Sequence, residues 1–236
     1  MSSAKVLIAE IDRSSYIPES NGVYGAMVIP LVRGDTKKVG FASSEEKFLK
    51  DTTPEGRIEP GFNLGYYQAL DFFRGSNKLL YVRAANNPTF GGVIIPVENS
   101  NKAPVRLNTD LVDPLDYVFR DDELFLLYGN SEGDWSRHVG YKIMPYTKLV
   151  NSFVIQVFWK SKKVEEFIVS RDPDSKDGNG QNMFIENVLK QSAYVRCLDN
   201  AYYSKDVLPL MLKPTTTKWN DPVKTNRYTP TSPAEP

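Results

Sequence analysis

The sequence predicts an α+β fold, with mixed β-sheets flanked by helices. Three observations carry that expectation. Phe153, Ile155, Val157 and Trp159 alternate in strict period two, the mark of a strand. Tyr66, Leu70 and Phe73 fall at i, i+4 and i+7, an apolar stripe on a helix. That helix lies between two strand-like runs, and strand–helix–strand order calls for a layer of sheet covered by helix.

In chain order, residues 4–12 read as an extended segment. Val6, Ile8 and Glu10 face one way, and Leu7, Ala9 and Ile11 the other. A strand at a chain terminus frays unless it has a partner. RSSYIPESNG, residues 13–22, is turn and loop material. Val23 to Val32 reads as a buried strand. Ser43 and Glu46 have the spacing of a capping box before a short helix through Phe48 and Leu49. Pro60-Gly61 announces the second helix, about 63–74, with Gly75 placed to stop it. KLLYVRA, residues 78–84, reads as a strand.

Residues 85–122 are punctuated by Asn, Pro and Gly and read as a surface insertion or loop-rich subdomain. Glu123 to Tyr128 and His138 to Met144 read as strands separated by a turn-rich stretch. The strand holding Phe153 pairs in a hairpin with Val164 to Ser170, across a charged turn at Lys160 to Lys163. Asn182 can cap a helix carrying Phe184, Ile185, Val188 and Leu189. Ala193 to Leu198 is a further strand. From Lys213 onward, prolines at 214, 222, 230, 233 and 236 remove backbone donors, so an extended tail or linker is expected. The expected division is an arm at 1–22, a first α/β part at 23–84, the insertion at 85–122, a hairpin-plus-helix part at 123–212, and the tail at 213–236.

Composition narrows the function. The chain has 236 residues, with 29 basic and 29 acidic side chains. A nucleic-acid binder needs a basic field to meet phosphates, and this balance gives none. One cysteine, Cys197, cannot form an intrachain disulfide. The first apolar run, Val6 to Ala9, is too short for a signal peptide, and no run is long enough to span a membrane.

The residues that could carry chemistry have plainer readings. His138, the single histidine, has Ser136 and Asp134 beside it, but triad members converge from separate segments. Asp172, Asp174, Asp177 and Asn179 suggest a calcium loop. Counted from Asp172, the sixth and twelfth positions are Asp177 and Met183, where such a loop needs Gly and Glu. The adjacent pairs Glu165-Glu166 and Asp121-Asp122 point to opposite sides of a strand. Cys197 sits in an apolar strand as a core filler. Tyr66, Tyr67, Phe72 and Phe73 are an aromatic helix face that packs a core or lines a pocket. No catalytic residue, cofactor site or metal site is assigned.

Four blocks, in order, resemble contractile bacteriophage tail sheath proteins. The first is AEIDRSSYIPESNGVYGAMVIPLVRGDTKKVGFASSEEKFLK and the second GYYQALDFFRGSNKLLYVRAAN. The third is GNSEGDWSRHVGYKI. The fourth runs from FVIQVFWKSKKVEEFIVS through a polar loop to FIENVLKQSAYVRC. They cover most of residues 8–198. Residues 85–122 match nothing in the family, which suits its variable outer insertion. Members of the family run to twice this length or more and carry a C-terminal inner domain, which is expected to lie outside this chain.

The resemblance implies a structural role rather than an enzyme. The chain would form hexameric rings stacked helically around a tail tube, in the virion. Its partners would be copies of itself, the tail tube protein, and neck or baseplate proteins, with no direct nucleic acid and no membrane. The arm residues Lys5, Val6, Leu7, Ile8, Ala9, Glu10 and Ile11 would lie at a subunit interface. Two rivals stand beside this reading: a non-contractile sheath-like neck or baseplate protein, and a carboxylate-based hydrolase.

Overall fold

The computed structural model describes residues 24–59, 63–100, 102–107, 111–160 and 162–211. The fold is α+β, and the described strands form three sheets. The arm at 4–12 and the tail at 213–236 lie outside the described residues. No helix among the described residues is long and apolar enough to cross a membrane.

The first sheet joins β1 (Gly25–Ile29), β2 (Val39–Ala42) and β3 (Leu79–Arg83) in the order β1-β3-β2. The β1–β3 pair is parallel and the β2–β3 pair antiparallel. One face packs on α1 (Glu45–Thr52) and α2 (Leu64–Phe73), where Ile29, Ala42, Leu79 and Tyr81 meet Phe48, Tyr66 and Ala69. The Phe72 ring of α2 and the Tyr81 ring of β3 come close enough to require glycine beside them in β1 and β2. A Cβ on Gly25 would stand 2.3 Å from the Phe72 ring, and one on Gly40 would stand 2.2 Å from Tyr81. The buried Tyr66 hydroxyl accepts from Val32 N at 2.9 Å and donates to Thr52 O at 2.8 Å, tying α2 to the chain after β1 and to the end of α1.

Two expectations change here. The strand within 23–32 is not buried, because Ala26 and Val28 on its second face are exposed. The cap of α1 is Ser44 rather than Ser43. Its Oγ accepts from Lys47 N at 3.2 Å, and Glu45 and Glu46 fill the first turn, where the helix dipole favours negative charge.

The other two sheets stack as a sandwich. One is β10-β6-β4-β5, built from β4 (Gly92–Pro96), β5 (Val105–Arg106), β6 (Glu123–Gly129) and β10 (Val195–Asp199). The other is β7-β8-β9, built from β7 (Val139–Pro145), β8 (Ser152–Trp159) and β9 (Lys162–Ser170). Val93, Ile95, Phe125, Leu127 and Val195 face Tyr141, Ile143, Phe153, Ile155 and Val157 in one core, closed by Ile185 and Leu189 of α3 (Ile185–Leu189). Phe125 and Phe153 stack with centroids 6.0 Å apart and planes 10° apart. Asn182 Oδ1 accepts from Phe184 N at 2.9 Å, just ahead of α3.

The 85–122 stretch is loop-rich, yet it is not wholly superficial. It supplies β4, which is buried along its whole length and pairs with β6. It also supplies Leu107, Leu111, Tyr117 and Phe119, which cover Ile94, Leu126 and Leu198 on the back of that sheet.

Buried arginines join the layers. Arg83, at the end of β3, donates to Leu31 O, Gly34 O and Glu132 O, each at 2.8 Å, and to Val32 O at 3.2 Å. Its guanidinium also lies 3.8 Å from the Glu132 carboxylate. Arg33 lies over Trp135 and Tyr194, with its Cζ 4.9 and 5.5 Å from the two ring centroids. It donates to Ala193 O and Thr53 O. Inside the sandwich, Arg171 pairs with Asp199 at 2.7 Å and donates to the carbonyls of Asn200, Tyr203, Ser204 and Val207. Charge this deep survives only because every arginine has several acceptors.

Candidate interaction surface

The interface residues expected from sequence, Lys5, Val6, Leu7, Ile8, Ala9, Glu10 and Ile11, lie outside the described residues. The groups considered for chemistry lie within them, and most are held by structural contacts; Asp121 and Asp122 sit in a turn ahead of β6 rather than on a strand. His138 ends a 3-10 turn, Asp134–His138, rather than starting the strand, which begins at Val139. Ser136 Oγ is buried, donating to Gly133 O at 2.7 Å and accepting from Gly91 N at 2.8 Å. His138 Nε2 stands 3.6 Å from Asp134 Oδ2, and its ring lies edge-on to Trp159. These bonds hold Ser136 as a brace between the turn and β4.

The aspartate loop folds on itself. Asp172 Oδ1 accepts from Asp174 N, and Asp177 Oδ1 accepts from Asn179 N and Gln181 N. Lys205 bridges Asp172 and Asp174 at 3.3 Å each. The backbone donor at Asp174, then Lys205, hold the Asp172 carboxyl below its usual range. These are the turns such residues make without a metal.

Glu165 accepts from Ser192 Oγ and Ala193 N, while Glu166 accepts from Lys163 Nζ at 3.0 Å and Gln156 at 2.6 Å. The two carboxylates therefore serve different neighbours. Cys197 is buried, and desolvation pushes its thiol well above the usual range, so it is a poor nucleophile. Of the aromatic helix face, Tyr66 and Phe73 pack around Phe48 at 6.0 Å, and Tyr67 is exposed.

A cleft of about 490 Å³ lies between the first layer and the sandwich, lined in part by Pro54, Glu59, Trp135, His138, Trp159 and Lys160. Its carboxylates are paired: Glu59 with Lys160 at 3.2 Å and Asp134 with Arg137 at 3.4 Å.

The most distinctive surface is the second face of the first sheet. Register places Ala26, Leu80 and Phe41 in one rank across the three strands, and Val28, Val82 and Val39 in the next. All six are apolar. Val28 is 75% exposed, Val39 64% and Phe41 44%. Exposed Tyr24 fringes the face, with Lys78 Nζ 5.2 Å from its ring centroid. Sequence reading missed this surface because apolar residues on both sides of a strand look the same whether one face is covered or two. The parity of β1 against β2 and β3 was the signal, and it becomes readable only once the register is known.

No protein-family model matches this sequence, and no curated protein matches it. Among solved structures, the chain is similar to the sheath tail protein of Desulfitobacterium hafniense, with a TM-score of 0.45 and 10% identity over 80% of this chain and 34% of that one. It is also similar to the sheath tail protein of Listeria innocua, with a TM-score of 0.47 and 11% identity over 87% of this chain and 32% of that one. The chain spans about a third of the length of either structure.

Proposed function

We propose that this protein is a structural subunit of a contractile phage tail sheath, assembling with copies of itself around the tail tube and taking part in contraction for genome delivery. The observation that carries the reading is the open apolar face of the β1-β3-β2 sheet. An apolar sheet face left open by the described residues offers a docking surface, and a small one serves where the contact is repeated through a lattice. The four sequence blocks described above choose the kind of assembly. The arm Lys5 to Ile11 is the second contact, lying against another copy, since an extended segment joins subunits with little demand on sequence.

The test is electron microscopy of the parent particle with this chain tagged. Label at regular intervals along the tail is expected. Label only at the neck or baseplate would move the protein to a non-contractile role, and label absent from the tail would refute the reading.

A further inference from the structure

The chain as a whole is neutral, yet one part of its surface is not. A cleft of about 430 Å³ lies among the turn after β1, the 3-10 turn Pro114–Asp116 and the junction of α3 with β10. A second, of about 380 Å³, adjoins it and shares Asp35, Lys38, Asn130 and Ser131 with it.

The acids that line the two clefts are already engaged. Asp35 pairs with Lys38 at 2.9 Å, and Asp51 pairs with Lys47 at 2.8 Å. Glu132 serves Arg83 and Thr36. Asp113 Oδ1 accepts from Leu115 N at 3.0 Å. The lining cations Lys37, Lys50, Lys190 and Arg196 have no ion pair among the described residues.

Arg196 is the most ordered of these. Its Nη1 is fixed on the carbonyls of Leu189, Ser192 and Val195 at 2.6–3.0 Å. Its Nε and Nη2 have no acceptor among the described residues. That edge is a fork able to meet a carboxylate through two parallel bonds. Burial lowers the guanidinium's pKa from its ordinary value, and an anion beside it would offset that penalty.

Two further observations separate a peptide from a bare anion. Val112 and Leu115, which line the larger cleft, are 62% and 72% exposed, and apolar side chains do nothing for a free phosphate. Asn130 lines both clefts. Its Nδ2 donates to Ala193 O at 2.5 Å, while its Oδ1 is buried with no donor among the described residues. An acceptor in that state matches a ligand that brings an N–H.

We propose that this cleft is a docking site for an acidic segment of a partner protein, a short stretch in which carboxylates neighbour apolar side chains. A carboxylate takes the Arg196 fork, with Lys37 and Lys190 to either side of the charge balance. The adjoining apolar side chain packs on Val112 and Leu115, and an N–H of the segment turns to Asn130. Clustered basic side chains commonly read acidic motifs, and complementary charge chooses the partner more than it adds affinity. None of the six open-face residues lines the cleft, so it is tested independently of the sheath reading.

The experiment is a titration of the ¹⁵N-labelled full chain with acetyl-Leu-Glu-Leu-Glu-amide up to about 10 mM, which captures millimolar contacts. Acetyl-Leu-Gln-Leu-Gln-amide and inorganic phosphate are titrated in parallel. With the glutamate peptide, amide shifts are expected at Lys37, Val112, Leu115, Asn130, Lys190 and Arg196. They should be smaller at about 0.5 M salt than at about 0.05 M. Lys37→Gln/Lys190→Gln should weaken binding about threefold or more, and Arg196→Gln should abolish the shifts. If Arg196→Gln lowers the thermal transition, the double lysine variant decides alone. An equal response to the glutamine peptide would make the cleft a plain apolar groove and overturn the proposal. The same shifts at the same concentration of phosphate would make it a simple anion site and also overturn it. A silent cleft, or binding undiminished in the double lysine variant, overturns it as well.

Discussion

The first sheet and the β10-β6-β4-β5 sheet have the same kind of sequence and opposite surroundings. GAMVI and LLYVR in the first, like GVIIP and ELFLLYG in the second, are apolar on both sides of the strand. Both sheets lay one face on a core. The second sheet has its back covered by Leu107, Leu111, Tyr117 and Phe119. The first has nothing from the described residues over Val28 and Val39. A two-sided apolar strand thus does not tell which residues, if any, cover its second face.

The sharpest way to break this comparison is to place a charge on each back face. Ile94→Asp, at a position 7% exposed, buries an unpaired carboxylate and should cost about 4 kcal/mol or more. Val28→Asp should cost less than about 1 kcal/mol. Urea unfolding of both variants checks this. Equal costs would mean that the first sheet is covered in the single chain.

The next largest effect tests how the open layer is held to the closed one. Arg83→Met removes the donor to four carbonyls and strands the buried Glu132 carboxylate. A loss of about 3–5 kcal/mol is expected in urea unfolding. If the loss were under about 1 kcal/mol, the layers would be joined by apolar packing instead.

A smaller effect appears at high pH. Burial pushes the Tyr81 hydroxyl, on the covered face of the first sheet, up to about 12. The folded state keeps a proton that the unfolded chain releases near pH 10. The share of stability held by Tyr81 is complete below pH 10 and is lost as pH rises toward 12, by about 2–3 kcal/mol at most, alongside that of the other buried tyrosines pushed upward, Tyr117 and Tyr141 among them. Urea unfolding at pH 9, 10.5 and 12 should show the fall, and Tyr81→Phe should reduce its slope.

The smallest effect on stability should come from removing the arm. A chain lacking residues 1–12 is expected to keep its thermal transition within about 2 °C while failing to co-assemble. Loss of the transition would instead make the segment a strand of its own domain.

Much of this fold was legible in the chain. The alternation through Phe153 and Trp159 placed β8, and the Tyr66 stripe placed α2, because in each the residues at that period line one core. β4 was not legible. Gly92 to Pro96 is buried on both sides, so it has no period, and its Asn, Pro and Gly flanks read as loop. Ser43 and Ser44 both offer a capping hydroxyl, and only the register of the first turn chose between them. The buried arginines were hidden for another reason: Arg33, Arg83 and Arg171 owe their burial to carbonyls from distant segments, which no local pattern announces. The open face was half legible. Its apolar composition was in the sequence, and its exposure was not.

The Arg83 junction also has a mechanical consequence. Its guanidinium grips main-chain oxygens on both sides of the boundary between the layers, rather than side-chain tips on flexible stems. The bonds to Leu31, Val32 and Gly34 stay within the first layer, and only the contacts to Glu132 cross to the sandwich. A shear applied to the first sheet would load the Glu132 contacts first, while the other three bonds keep the guanidinium aimed at its partner. The junction would then slip and re-engage as a latch does, its tongue moving while its mounting stays fixed.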